Sequence, residues 1–260
     1  MKKTILMTGA RGSIGSILRK ALMDTYTIRA MSRHPIPGVD SITADLSDMP
    51  ALRAACRGVD SVIHLAANGS QWAPWDDVLH SNIIGTYNIF EAASQAGAKQ
   101  VIYASSNHAL GTYDLEAAPE IYRSGMPLLD HLVPVRPDSY YGVSKCFAEA
   151  LGRYYADQRG LHVLSLRIGY VSDDDKPFPW RSPESLERLA AIWLSHRDLV
   201  QLVEKSLEAE HVPFDIFYGI SDNQPHFYDL THAREIIGYV PQDGAVVSEA
   251  RAAMEERAGD

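Results

Sequence analysis

A doubly wound α/β fold built on one parallel sheet is predicted by three observations. Short, β-branched apolar runs alternate with amphipathic helical stretches from Thr4 to Ile168, the rhythm of successive βαβ units. A glycine-rich turn, Thr8-Gly9-Ala10-Arg11-Gly12-Ser13-Ile14-Gly15, joins the first run to the first helix. Polar residues then collect where runs end, above all Ser105-Ser106-Asn107-His108. The carboxyl edge of such a sheet is where open α/β folds bind ligands.

Length and composition narrow the class of function. A chain of 260 residues that is 46 % hydrophobic and 22 % charged, without repeats or a Pro/Ser/Gly linker, reads as one compact unit. A formal charge of −9 argues against a nucleic-acid partner and an anionic membrane surface, since both require concentrated Lys and Arg. Cys56 and Cys146 are too few for a disulfide framework, and no metal-ligand spacing is present, so no metal is expected. His196, His226 and His232 are read as structural or hydrogen-bonding histidines. With no signal segment or membrane-length apolar run, a soluble, cytoplasmic protein is expected.

The first strand, Thr4 to Met7, runs into the glycine turn, and Ile14 to Leu22 follows with helical spacing. In that arrangement backbone N–H groups at a helix start can receive a pyrophosphate, and glycines let the backbone approach it. A tight βα turn with no ligand is the alternative; the position at the first βα junction favours the nucleotide. The second strand, Thr27 to Met31, ends at Ser32-Arg33, where a dinucleotide site distinguishes a ribose hydroxyl from a 2′-phosphate. No carboxylate stands there, and a hydroxyl with a guanidinium suits the phosphate, with Arg11 as a second cation. NADP is therefore favoured over NAD, against the alternative that Arg33 is a solvated loop residue.

Ser41 to Ala44 forms a third strand closed by Asp45-Leu46, and Met49 to Arg57 a helix. The fourth strand, from Ser61, leaves through Leu65, Ala66 and Ala67, small enough for a cofactor to approach the backbone. Ser70 beyond it is a candidate contact to a substrate hydroxyl, or an ordinary loop serine. One long helix is predicted from Trp75 to Ala96, with Asn82 inside it, and Trp72 and Trp75 are expected to pack. Gln100 to Ala104 is the fifth strand and delivers Ser106, Asn107 and His108 to the sheet edge.

Gly111 to Asp138 carries four prolines without periodicity and reads as a surface excursion. A helix from Tyr140 to Gln158 follows, with Val143, Phe147, Leu151 and Tyr155 as its apolar stripe, long enough to pair with a copy of itself. Tyr141 and Lys145, four residues apart, share one face. A lysine there stabilises a phenolate and can hold a polar cofactor, which suits a tyrosine general base. Val163 to Ile168 is the sixth strand. Beyond Gly169 the rhythm breaks, so 1–168 is expected to form the dinucleotide-binding core and 169–260 a small substrate lobe. That lobe holds a helix carrying Arg188 to Trp193, a helix from Leu199 to Leu207, a strand from Phe214 to Gly219, and closing helices over Thr231 to Ile237 and Val246 to Arg257.

The glycine triplet, Asp45-Leu46, Asn82-Ile83-Ile84-Gly85-Thr86, Ser106 and the Tyr141/Lys145 pair, in that order, resemble the extended short-chain dehydrogenase/reductase family of Rossmann-type proteins. More narrowly, Ala104-Ser105-Ser106-Asn107-His108, Tyr141-Gly142-Val143-Ser144-Lys145, Arg167-Ile168-Gly169 and Trp193-Leu194-Ser195-His196 are similar to the uronate dehydrogenase group, which oxidises the C1 hemiacetal of a sugar to a lactone. This resemblance implies cofactor contacts at Gly9, Arg11, Gly12, Ser13, Ile14, Gly15, Ser32, Arg33, Asp45, Leu46, Leu65, Ala66, Ala67, Asn82, Tyr141 and Lys145. It implies catalysis by Tyr141, Lys145 and Ser106, and sugar contacts from Ser70, Ser106, Asn107, His108 and Tyr141. Arg188 holds the position that binds the substrate carboxylate in that group, or is a helix-surface arginine.

Two departures stand out: Ser32 replaces the group's NAD-selecting aspartate, and the segment 172–187 is longer and carries Trp180 and Arg181. The expected substrate is a sugar acid or another aldose with an anionic C6 group, such as a phosphate or sulfonate. A homo-oligomer, at least a dimer, is expected. The alternatives are a nucleotide-sugar epimerase with retained cofactor, and a redox-sensing binding protein, which would not need Ser106, Tyr141 and Lys145 together.

Overall fold

The structure is a computed structural model that describes residues 2–122, 127–177, 183–246 and 248. Seven strands form one parallel sheet in the order β3-β2-β1-β4-β5-β6-β7. They are β1 (Thr4–Thr8), β2 (Thr27–Ser32), β3 (Ser41–Thr43), β4 (Ser61–His64), β5 (Gln100–Ser106), β6 (His162–Ile168) and β7 (Phe214–Gly219). Residues of one strand alternate between two cores: Ile5 and Met7 face one, Leu6 the other, and all three are fully buried. A strand covered on both faces reads as a continuous apolar run, the pattern seen in the sequence. Strand order reverses between β1 and β4, which opens a crevice at their carboxyl ends.

The helices are α1 (Ser13–Leu22), α2 (Met49–Cys56), α3 (Trp75–Val78), α4 (Gly85–Ala96), α5 (Gly111–Ala117), α6 (Tyr140–Arg159), α7 (Pro183–Ala191), α8 (His196–Glu208) and α9 (Thr231–Ile237). Asp48 caps α2 by accepting from Ala51 N–H (3.0 Å), and Ser139 caps α6 by accepting from Gly142 N–H (3.1 Å). Gly160, at φ +65°, ends α6 in the left-handed conformation that suits glycine. No helix among the described residues is long and apolar enough to cross a membrane.

Four expectations are corrected. The stretch 75–96 is a run of helix in which a π segment, Leu79–Ile84, separates α3 from α4. Its wider turn carries Asn82, which is buried. The excursion after β5 contains α5, a seven-residue helix too short to show a period. Trp72 is 84 % exposed and does not pack, while Trp75 meets Tyr140 edge-on at 5.5 Å. The inward face of α6 keeps Tyr155 and Leu151 of the predicted stripe but is turned away from Val143. Ser144, Lys145, Ala148, Glu149, Gly152 and Tyr155 are buried, whereas Val143 is 40 % exposed. Gly152 permits this approach, since a Cβ there would lie 2.7 Å from Val163 Cγ1. The expected helix from Val246 to Arg257 lies almost wholly outside the described residues, as do Trp180 and Arg181.

Candidate active site

Helix α6 brings Tyr141 and Lys145 over the carboxyl end of β5. Lys145 Nζ donates to the Ala104 carbonyl (2.6 Å) and lies 5.2 Å from the centre of the Tyr141 ring. Burial drives the ammonium down to about 7, with the Glu149 carboxylate acting the other way. Glu149 sits one helical turn on, held by a bidentate pair with Arg167 (3.0 and 2.9 Å) and by the Ser105 hydroxyl (2.6 Å). Arg167 and Glu149 side chains are only 2 % and 4 % exposed, so this is an internal charge network. Burial raises the Tyr141 phenol above its ordinary value; the Ser106 hydroxyl opposes the rise and Asp138 adds to it. In the chain alone, then, the expected depression of the phenol is not yet present.

The end of β5 turns through a 3₁₀ segment, Asn107–Ala109, in which Ser106 Oγ accepts from His108 N–H (3.3 Å). His108 Nδ1 donates to Asp138 Oδ2 (2.7 Å), and its ring meets Tyr141 edge-on at 5.6 Å. Burial works to raise the Asp138 carboxyl, but hydrogen bonds from His108 and Ser139 hold it below its ordinary value. The Asn107 amide is satisfied with its nitrogen toward Ile168 O and its oxygen toward Arg188 Nη2, each at 3.3 Å. Arg188, on α7, donates through Nε to Asp114 Oδ2 on α5, whose Oδ1 accepts from the Tyr122 hydroxyl. Ser106, Asn107, His108, Tyr141, Lys145 and Arg188 thus meet at one sheet edge. Ser70 is exposed, and its oxygen accepts from Trp72 N–H (3.2 Å).

All four hydrogen-bonding positions of the Asn82 amide are taken within the protein. Its oxygen accepts from Asn68 N–H (2.7 Å) and Ser81 Oγ (3.0 Å). Its nitrogen donates to Asn68 O (3.0 Å) and Ser144 Oγ (3.1 Å). Ser144 in turn donates to the Tyr141 carbonyl (2.7 Å), so Asn82 clamps the loop after β4 to the first turn of α6.

The crevice at β1 fits a dinucleotide. Gly9 is at φ +68°, and a Cβ there would sit 2.8 Å from Ala66 N, so the turn lies directly against the Leu65-Ala66 exit of β4. Gly15 packs on the same turn, where a Cβ would meet Ala10 Cα at 2.8 Å. Gly12 caps α1 without any side-chain hydrogen bond, and the first turn has no acid, which leaves its N–H groups for an anion. Ser13 Oγ donates to Asp173 Oδ1 (2.6 Å), tying the loop after β6 to this helix start. At the end of β2, Ser32 Oγ donates to the His34 carbonyl, and Arg33 lies near enough to Asp45 to help hold that carboxyl low. The larger cause at Asp45 is its hydrogen bonds from Ser47 N–H (2.9 Å) and Oγ (2.7 Å). Leu46 seats α4, since a Cβ on Gly85 would lie 2.8 Å from its Cδ1. Arg11 lines an open groove of ≈ 1070 Å³ between α1 and α8 that Tyr141 and Lys145 do not reach.

Sequence reasoning missed Asp114, Asp138, Glu149 and Tyr122, and also a cluster of His131, Asp215 and His232. In that cluster His232 Nε2 donates to Asp215 (2.9 Å) and the two imidazoles stack at 3.6 Å, 7° from parallel. A metal lies near the plane of each imidazole that binds it, and planes so nearly parallel share no nearby point, so the arrangement is a stack rather than a chelate.

The model of the NAD dependent epimerase/dehydratase family matches residues 5–172. The chain is 40 % identical over 256 residues to the NAD-dependent glucose-6-phosphate dehydrogenase of Haloferax volcanii, covering 94 % of this chain and 95 % of that one. It is 39 % identical to the L-arabinose 1-dehydrogenase (NAD(P)(+)) of the same organism, covering 93 % and 97 %. Among solved structures, a mutant uronate dehydrogenase from Agrobacterium tumefaciens complexed with NAD aligns with a TM-score of 0.82 at 31 % identity, over 98 % of this chain and 90 % of that one.

Proposed function

The chain belongs to the NAD dependent epimerase/dehydratase family, and from that premise we propose that it is an NAD(P)-dependent sugar 1-dehydrogenase. The substrate is an aldose with an anionic C6 group, a uronate first, and the product is the aldonolactone. The observation that carries this reading is the meeting of Tyr141, Lys145 and Ser106 with Asn107 and His108 at the carboxyl end of β5. The sugar oxidations named for the two Haloferax volcanii relatives and for the uronate dehydrogenase support sugar oxidation as the reaction; the anionic C6 group is carried by Arg188 at the site.

A bound oxidised nicotinamide would supply the acceptor for the hydride that leaves C1 of the sugar. Tyr141, as phenolate, takes the proton of the C1 hydroxyl, so that the C1–H and O–H bonds break as the C1 carbonyl forms. Bringing a phenol from about 10 to about 7 requires about 4 kcal/mol of preferential phenolate stabilisation, which a charged Lys145 and the cationic cofactor would share. Lys145 also holds ribose hydroxyls, in exchange for the Ala104 carbonyl. Ser106 donates to the reacting oxygen, and Asn107, His108 and Ser70 hold sugar hydroxyls. Arg188 receives the C6 anion.

The free N–H groups of the first α1 turn and the approach through Gly9 receive the pyrophosphate, and Leu65 to Ala67 border the cofactor. The relatives' names support NAD as cofactor. Ser32 and Arg33, with no acid at the end of β2, suit a 2′-phosphate as well. Tyr140, Val143 and Tyr154 on α6, with Tyr87 on α4 and Ile84 just before it, leave apolar surface exposed, which supports a homodimer through these helices.

Tyr141→Phe tests the assignment of the base: it should fold and bind NAD yet lose roughly 10²- to 10⁴-fold in turnover. Retained turnover would remove Tyr141 from that role.

A further inference from the structure

Arg188 is the cation of the sugar pocket, yet it is not a free positive charge. Its Nε donates to Asp114, a carboxylate on a different helix that is 1 % exposed. The second oxygen of Asp114 takes the hydroxyl of Tyr122, so both oxygens are fixed. Burial and the neighbouring Asp114 push the Tyr122 phenol far up, so Tyr122 stays a neutral donor. A second acid, Asp138, lies close enough for Arg188 to lower it, and it is bonded to His108. The Arg188 guanidinium is thus opposed directly by Asp114, while Asp138 is itself paired with His108.

We infer that Asp114 sets the charge selectivity of this pocket: it aims the outer end of Arg188 at the substrate while cancelling most of its charge, so the pocket takes a singly charged C6 oxyanion and rejects a doubly charged one. The inference rests on the sugar-dehydrogenase reading and narrows its substrate class to a carboxylate or sulfonate rather than a phosphate ester. The geometry supports the first half directly. With Nε committed to Asp114, the Nη2 end lies 3.3 Å from the amide oxygen of Asn107, a residue assigned above to the sugar. Coulomb's law supplies the second half. Each charge on the substrate feels the arginine and the nearby carboxylate with opposite sign, so a second negative charge gains little attraction and still loses its hydration.

Asp114 acts through Arg188, so its removal should produce an effect graded by substrate charge, which a purely structural role would not. The measurement is kcat/KM for glucose, glucuronate and glucose 6-phosphate, at a pH above the second phosphate pKa of about 6. Wild type should favour glucuronate over glucose 6-phosphate by about tenfold or more. In Asp114→Asn the glucuronate-to-glucose ratio should rise roughly tenfold, and the glucose 6-phosphate-to-glucose ratio roughly a hundredfold. A uniform change across the three sugars, or a wild-type preference for the phosphate, overturns the inference; the wild-type comparison holds even if the variant does not fold. Arg188→Gln separates the two levels of the reading. If it leaves every sugar unchanged, the C6-anion site itself fails; if it weakens only the acids while Asp114→Asn shows no grading, only the role of Asp114 fails.

Discussion

His108 Nδ1 stands 2.7 Å from Asp138 Oδ2. That bond fixes the proton of a neutral imidazole on Nδ1 and leaves Nε2 as an acceptor for a sugar hydroxyl. Asp138→Asn removes the preference, because the amide can pair with either tautomer. It should raise KM so that kcat/KM falls roughly tenfold, the scale of one lost hydrogen bond in a closed site, with kcat less affected. Steady-state kinetics checks this; an unchanged KM would separate His108 from sugar binding.

Lys145 makes stability depend on pH in a definite direction. Its folded value, about 7, lies below the ordinary 10.5, so between these limits the unfolded chain binds the extra proton and stability rises with pH. The penalty for burying the ammonium is complete below about pH 7 and gone above about pH 10.5, and amounts to up to ~5 kcal/mol. Cofactor-free Lys145→Met should therefore melt higher than wild type near neutral pH, and the gap should close as the pH is raised. Thermal melts across that range test it; a gap independent of pH would contradict the shift.

Ser32 ends β2 with its hydroxyl on the His34 carbonyl. Ser32→Asp places a carboxylate where a ribose 2′-hydroxyl is held and a 2′-phosphate repelled. The ratio of kcat/KM for NAD over NADP should rise by about tenfold to a hundredfold, as expected for gaining and losing charged hydrogen bonds. If wild type already ignores NADP, Ser32 and Arg33 do not serve a 2′-phosphate.

The parallel sheet was legible because strands covered on both faces are apolar without alternation in their interior, as Ile5-Leu6-Met7 of β1 and Val62-Ile63 of β4 are. The Tyr141 and Lys145 pair was legible as neighbours because they lie one helical turn apart in the chain. The acids that tune the site were not. Asp114 lies 74 residues from Arg188, and with Glu116 and Glu120 close behind it in a proline-rich stretch it reads as solvated surface. Glu149 sits where an outward charge would serve equally well, and only β6 supplies Arg167. The same network explains the turned face of α6: that helix buries Lys145 and Glu149 for the site and leaves Val143 outside. Asn82 was found by its motif, but its place in a π turn could not be, since a single inserted residue barely disturbs helical periodicity.

Glucuronate carrying deuterium at C1, with the label followed in the presence of NAD, separates oxidation from epimerisation. Transfer of the deuterium to the nicotinamide ring, one reduced cofactor per lactone formed, and loss of both in Tyr141→Phe are expected on the sugar 1-dehydrogenase reading. Deuterium retained at C1, with the sugar altered elsewhere and no net reduction of cofactor, would contradict it and point to epimerisation.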